Sequence, residues 1–400
     1  MIISTSLNSS SYSFFDKLKA VDYFLIIIVA IIGSISVVSI YSTESGNFSF
    51  YTKNHLTRFL VFFSMFLVLS FVRVSVWYRQ AYIFYILGIL LLLLVIFFGI
   101  SASGSKRWIN FFIMNLQPSE LMKIAIIVCF ARYYHRIQSS DIQSYKYLLQ
   151  PIILLLIPCY LVITQPDLGT AILIAGSGLA IIWLAGLNLK YFVYSGLILL
   201  VSLPFVISIL KPYQKSRILT FFNPDTLPFV ISFLKPYQKS RILTFFNPDR
   251  DPLGAGYQII QSKIAIGSGG LLGKGFLQGT QSYLEFLPEK HTDFIFTLFS
   301  EEFGFVGSMV LILLYALLIY RIIRIGFSSR SFFAKLYCFG FASGLFLYIF
   351  VNIAMVLGLL PIVGAPLPIM SYGGSSMLSI MLGLSIVMSC KIYSRDPIGN

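Results

Sequence analysis

Charge is scarce in this chain: Asp, Glu, Lys and Arg together make up 11% of its 400 residues, and only 15 residues are acidic. Soluble domains carry about a quarter of their residues as charges, so that class is excluded. Cysteine is almost as rare. Cys129, Cys159, Cys338 and Cys390 lie in or beside apolar runs with no CxxC spacing, which excludes a disulfide framework and a zinc ribbon. His291, one of three histidines, has no His or Cys companion at ligand spacing, which argues against a dedicated transition-metal site.

What fills the chain instead is apolar: 57% of residues, including 38 Phe, with a mean hydropathy of +0.85. That composition belongs to proteins that cross a membrane many times. Runs long enough to span about 30 Å of hydrocarbon fall near 22–41, 56–76, 81–101, 118–134, 149–165, 168–185, 190–210, 294–320, 334–360 and 372–392. The sequence thus predicts an all-α polytopic membrane protein of about ten transmembrane helices, one domain over 1–400, with a long loop at 211–293 between helices 7 and 8.

The first run follows Lys17 and Lys19 and has no small-residue cleavage site, so it is expected to stay as a signal-anchor with a cytoplasmic amino terminus. Basic residues support this: fourteen Lys and Arg fall on the segments then placed inside, against Lys53, Arg58, Lys106 and Arg107 in short outside loops. Both termini are therefore expected in the cytoplasm and the 211–293 loop on the outer side of the membrane. The net charge of +14 reflects topology rather than a nucleic-acid partner.

Residues 203–226 recur almost unchanged at 227–250, differing only at Ile209 against Phe233 and Thr226 against Arg250. A single pair is a tandem duplication and not a solenoid, which needs at least three units. The apolar LPFVISFL is too short to span, so the extra copy is expected to lie on the membrane surface without a function of its own.

Five carboxylates gather where a polar loop enters the eighth apolar run, among them Glu289, Asp293 and Glu302. On a continuous helix Glu301 and Glu302 lie about 12 Å deeper than Asp293, where an ionised side chain needs a partner or a function. Glu120 and Lys123 open the fourth span three residues apart, on one helix face, either as a structural pair or as a polar cavity wall. Asp167 stands before the sixth span as a helix cap or a site residue. Lys106, Arg107 and Trp108 put two cations and an interfacial aromatic at headgroup level. The run from Gly267 to Gly275 resembles a phosphate loop, but Ser268 and Gly275 break the pattern; it is either a flexible loop or a set of backbone N–H groups that, with Lys274, approach a diphosphate. A carboxylate-held Mg²⁺ or Mn²⁺ bridging a diphosphate stays open, with no nucleotide or organic cofactor expected.

Taken in order, GSKRWI at 104–109, QPSELMKI at 117–124, QPDLGT at 165–170, the 251–275 segment, LEFLPEKHTDFIF at 284–296, EEFGFVG at 301–307 and PLPIMSYGGSS at 366–376 resemble the shape, elongation, division and sporulation (SEDS) family over nearly the whole chain. The closest resemblance is to its rod-shape members. The extra 24-residue copy departs from the pattern. The resemblance implies a peptidoglycan glycosyltransferase of the bacterial inner membrane that polymerises lipid II during elongation. It also implies a class B penicillin-binding protein as transpeptidase partner, alongside other elongation-complex proteins. Asp293 falls on the family's catalytic aspartate, and the leaving diphosphate would meet Lys106, Arg107, Lys263 or a divalent cation. Trp108, Glu120, Lys123, Asp167, Glu289, His291 and Glu302 complete the expected substrate contacts. The rival expectation is a flippase that moves the lipid-linked precursor.

Overall fold

A computed structural model describes residues 13–102, 105–111, 114–137, 142, 145–165, 167–188, 190–194, 255–280 and 290–396. Its helices are α1 (Phe14–Ala20), α2 (Tyr23–Thr43), α3 (Phe50–Leu69), α4 (Val74–Phe98), α5 (Pro118–His135), α6 (Tyr145–Thr164), α7 (Leu168–Leu184), α8 (Ala255–Ser268), α9 (Ile295–Ser328), α10 (Phe332–Val356) and α11 (Gly374–Ile392). Among the described residues six of these, α2, α4, α6, α9, α10 and α11, are long and apolar enough to cross a membrane, and α7 is apolar but shorter. Hydrocarbon offers no water to backbone N–H and C=O groups, so apolar runs of this length must close their hydrogen bonds internally as helices. Ile86, Leu90, Leu94 and Phe97 on α4 and Leu313 and Leu317 on α9 all face outward, an apolar surface suited to lipid.

Charges keep α3 and α5 below that apolarity: Lys53, His55 and Arg58 in one, Glu120, Lys123 and Arg132 in the other. The fold accommodates α5 by surrounding it with α4, α7, α10 and α11, so that nearly every side chain from Pro118 to Tyr134 is buried. α11 is equally enclosed, and its serines Ser375, Ser376, Ser379, Ser385 and Ser389 are all buried, small residues that let helices approach closely.

Helices occupy nine of the ten predicted spans among the described residues; the seventh is helical at 190–194, and its remainder lies outside the described residues, as do both copies of the repeat. α3 begins at Phe50, earlier than predicted, because Glu44 accepts from the first-turn N–H groups of Tyr51 at 3.4 Å and Thr52 at 3.0 Å. The all-α expectation needs one correction. The loop before α5 is a three-stranded antiparallel sheet of β1 (Ile100–Ala102), β2 (Ser105–Phe111) and β3 (Met114–Leu116). Alternation along β2 sends Lys106 and Trp108 to one face and Arg107 to the other.

α9 is broken at Gly304, whose φ of 65° and ψ of −163° leave the helical region. A break inside a bundle strands backbone groups: the carbonyls of Glu301 and Glu302 lose the N–H groups of Phe305 and Val306. The glycine-rich stretch after α8 replaces both bonds. Lys274 and Gly275 donate to the carbonyls of Glu301 and Glu302, each at 3.0 Å, while Phe305 and Val306 donate to Gly270 at 2.9 Å and Leu271 at 3.1 Å. This corrects the phosphate-loop alternative, because the backbone N–H groups of Lys274 and Gly275 are committed to repairing α9. A Cβ at Gly304 would collide with the Gly273 nitrogen, and its backbone conformation alone costs a non-glycine residue about 1–3 kcal/mol. Gly304→Ala is therefore expected to lower the thermal unfolding midpoint of the detergent-solubilised protein clearly; an unchanged midpoint would show that the loop does not depend on this glycine.

Candidate active site at the loop end of the bundle

The turns that follow α2, α4, α6, α8 and α10 collect at one end of the bundle. There Asp167 caps α7 by accepting from the Thr170 N–H at 3.2 Å, as the capping expectation held. Its second oxygen accepts from Gln117 Nε2 at 2.9 Å and lies 3.7 Å from Arg107. Cap and site are thus one residue, joining the inward face of β2 to α5 and α7. Gln117 is tied in turn to α11 through its backbone N–H, which donates to Ser375 at 2.9 Å.

One turn into α5 the Lys123 ammonium donates to Glu120 at 2.8 Å, the pairing their spacing predicts. Both side chains are buried. The Tyr348 hydroxyl, from α10, reaches the two Glu120 oxygens at 3.0 and 3.1 Å and Ser376 at 3.4 Å, and Lys123 also lies 3.7 Å from the centre of the Tyr348 ring. A pair removed from water needs such additional donors, because Coulomb attraction alone does not repay desolvation. Asp167 acts electrostatically on Lys123, and Asp293 on Tyr348.

Asp293 is half-buried in the turn that leads into α9. Asn352, one helical turn beyond Tyr348 on α10, donates to the Asp293 carbonyl at 3.0 Å and to the Ala365 carbonyl at 2.6 Å. Beneath the turn, Phe294 and Leu298 pack with Ile259, Met355, Val356 and Ile362 in a small apolar core. The turn bearing Asp293 is thus anchored through its backbone to α10 and seated on this apolar core.

The other predicted residues divide. His291 is near Asp293 and contacts Thr43 at 2.8 Å. Glu302 is held by Ser42 and by loop N–H groups of Leu277 and Gly279, while its neighbour Glu301 takes Lys274 at 2.6 Å and the backbone and side chain of Thr280 at 3.0 and 2.9 Å. These two carboxylates secure the glycine-rich loop. Lys263, on the exposed face of α8, lies against Gly358, and no described contact joins it, Lys106 or Trp108 to the Glu120 cluster. Glu289 is outside the described residues. Tyr348, Asn352 and Gln117 went unrecognised in the sequence; for Asn352 a signal existed, an amide inside an apolar span.

The family description for cell cycle proteins that covers FtsW, RodA and SpoVE matches residues 17–230 and 226–396. The peptidoglycan glycosyltransferase MrdB of Escherichia coli K12 is 42% identical over 312 residues, 78% of this chain and 77% of that protein. Stage V sporulation protein E of Bacillus subtilis is 32% identical over 391 residues, 95% of this chain and 99% of its own. Among solved structures, a chain from a study of how a peptidoglycan synthase complex coordinates polymerization and crosslinking superposes with a TM-score of 0.76 at 27% identity, covering 94% of this chain and 99% of that one. The rod shape determining protein RodA of Thermus thermophilus superposes with a TM-score of 0.66 at 24% identity, 94% of this chain and 98% of that one, a likeness of fold. The two family matches meet at 226–230, the junction of the two repeat copies.

A substitution test follows from the buried pair. Glu120→Ala or Lys123→Ala alone leaves one buried charge uncompensated and is expected to cost about 3–5 kcal/mol. The swap of Glu120→Lys with Lys123→Glu recovers much of that loss. Thermal unfolding of the three variants checks this, and single variants as stable as the parent would show that the pair does not hold the helices.

Proposed function

The chain belongs to the cell cycle protein family of FtsW, RodA and SpoVE, and from that premise we propose that Asp293 is the base with which it polymerises lipid II. It is a peptidoglycan glycosyltransferase of a bacterial membrane, active in cell-wall synthesis and cell shape, and it works with a cross-linking partner. The partner expected from the sequence, a class B penicillin-binding protein, fits that arrangement.

The observation that carries the mechanism is the placement of Asp293: half-buried, fixed through its carbonyl by Asn352, and close enough to Tyr348 for their electrostatic interaction to matter. Lipid II holds its disaccharide by an α-linked diphosphate, and the glycan product is β-1,4-linked. The acceptor 4-hydroxyl gives its proton to the Asp293 carboxylate as its oxygen bonds to the anomeric carbon. The carbon–oxygen bond to the diphosphate breaks on the opposite face, inverting the configuration. One base suffices for this single displacement. Arg107, at the rim beside Asp167, supplies positive charge for the departing undecaprenyl diphosphate, while Lys106 lies on the opposite, exposed face of β2. A Mg²⁺ or Mn²⁺ bridging the diphosphate would need only one or two carboxylates besides the phosphate oxygens, and Glu120, Asp167, Glu301 and Glu302 are already bound to protein donors. No step is assigned to a metal.

The finer topology belongs to the same proposal: ten spans, the inner membrane, both termini in the cytoplasm, and the loop end with its 211–293 loop at the outer face, supported by the distribution of Lys and Arg. A flippase is the weaker reading. It calls for a binding site near the midplane, whereas Glu120, Lys123, Asp167 and Asp293 gather at the loop end.

Asp293→Asn is expected to reduce polymerisation of labelled lipid II by roughly 10²- to 10⁴-fold while membrane insertion and partner binding persist; undiminished glycan synthesis would remove Asp293 from the base role. Deleting 227–250 joins Thr226 to Asp251 and keeps one copy of the repeated segment. Because loop closure changes by only about 0.6 kcal/mol per doubling of length, the deleted form is expected to support rod growth and polymerisation as well as the parent does. Loss of rod shape in cells expressing only that form would give the duplication a function.

A further inference from the structure

We infer that His291 is a positioning residue for Asp293, an inference that rests on the glycosyltransferase reading above. Three successive residues at the end of α2 reach three different elements. Ser42 donates to Glu302 in α9, Thr43 meets His291 Nδ1 at 2.8 Å, and Glu44 accepts from the Thr52 N–H at 3.0 Å and its hydroxyl at 2.7 Å. Burial alone would raise the Glu44 pKa, but hydrogen bonds from Ser49, Thr52 and Tyr51 outweigh it and lower the value, so this carboxylate stays ionised and fastens the turn. The α2–α3 turn thus grips the chain on both sides of Asp293, at 291 and at 302.

Counting protons fixes the state of the ring. Thr43 Oγ1 lies 2.7 Å from the Ile40 carbonyl, one of the last four carbonyls of α2, which lack an intrahelical donor. A carbonyl only accepts, so the single Thr43 hydroxyl proton is committed there. The same oxygen then accepts from His291, and Nδ1 carries the proton. The imidazole stacks on Tyr51 at 4.3 Å and 16°, and Tyr51 meets Tyr372 edge-on at 5.1 Å. The backbone N–H of Tyr372 donates to the His291 carbonyl at 2.8 Å. Ring and main chain of His291 are therefore held two residues before Asp293, whose own carbonyl is held by Asn352.

The test compares substitutions by the nitrogen each imitates, in the full-length protein with its transpeptidase partner. His291→Asn, whose amide N–H stands near the position of Nδ1–H, is expected to retain far more lipid II polymerisation than His291→Gln, which imitates Nε2. Thr43→Val is expected to lower kcat roughly 10- to 100-fold with KM little changed, and Thr43→Ser to restore it. In the same samples, backbone hydrogen exchange over 291–296 quickens in Thr43→Val and not in Thr43→Ser. Greater activity in His291→Gln than in His291→Asn, or parental kcat and exchange in Thr43→Val, overturns the inference. A parent protein that forms no glycan counts against the glycosyltransferase reading instead, and the exchange comparison still decides the role of His291.

Discussion

Every carboxylate inside a membrane bundle must find its donors within the same chain, and this constraint organises the structure at its loop end. Glu120 is met by Lys123 and Tyr348, Asp167 by Gln117, Arg107 and the α7 N-terminus, Glu301 by Lys274 and Thr280, and Glu302 by Ser42. Each set draws donors from elements distant in sequence. Meeting the charges therefore also fixes how α2, α5, α7, α9, α10 and α11 stand relative to one another. Water competes for such bonds at a soluble surface, where ion pairs contribute little. Inside the bundle, removing one partner strands the other, so the same bonds become conditions for folding.

The carboxylates divide by what surrounds them. Glu301 and Glu302 lie beside a helix break whose four backbone groups are all repaired by the same loop, so their charges act on architecture. Asp167 and Glu120 tie together elements that meet at the loop end. Asp293 sits on a turn whose carbonyls are held from two sides: Asn352 donates to that of Asp293 and Tyr372 to that of His291. Held through its backbone on a turn, Asp293 differs from the helix-embedded carboxylates Glu120, Glu301 and Glu302, whose side-chain bonds join one helix to another element.

Much of this was legible in the sequence, for reasons that are local. Apolar runs of membrane length specify helices because no other structure satisfies the backbone in lipid, and nine predicted spans have helices among the described residues. The three-residue spacing of Glu120 and Lys123 specified their pairing, and the position of Asp167 its cap. What escaped depends on contacts between distant segments. Tyr348 reads as one more aromatic in an apolar helix until it is seen against Glu120. The β2 sequence SKRWINF does not alternate polar with apolar residues, so the opposite directions of Lys106 and Arg107 were not visible. The glycine-rich stretch looked like a phosphate loop because both structures need backbone N–H groups exposed on a chain without side-chain obstruction; only Gly304, thirty residues on, shows that the acceptors are carbonyls of the same protein.

The break in α9 also explains why the segment before it is short and tightly held. An unbroken α9 would keep Glu301 and Glu302 in a continuous hydrogen-bond ladder, with no opening for Lys274, Gly275, Gly270 and Leu271 to enter. With the break, the loop after α8 is drawn onto α9 beside these carboxylates, and α8 itself docks on the start of α9 and the end of α10 through Ser262, which bonds Thr297 at 2.8 Å and the Val356 carbonyl at 2.8 Å. The turn bearing Asp293 is thereby confined between α8 and the stitched loop on one side and the α2–α3 turn on the other. Its precision comes from hydrogen bonds at both flanks, a short tether that packing of apolar side chains alone would not direct.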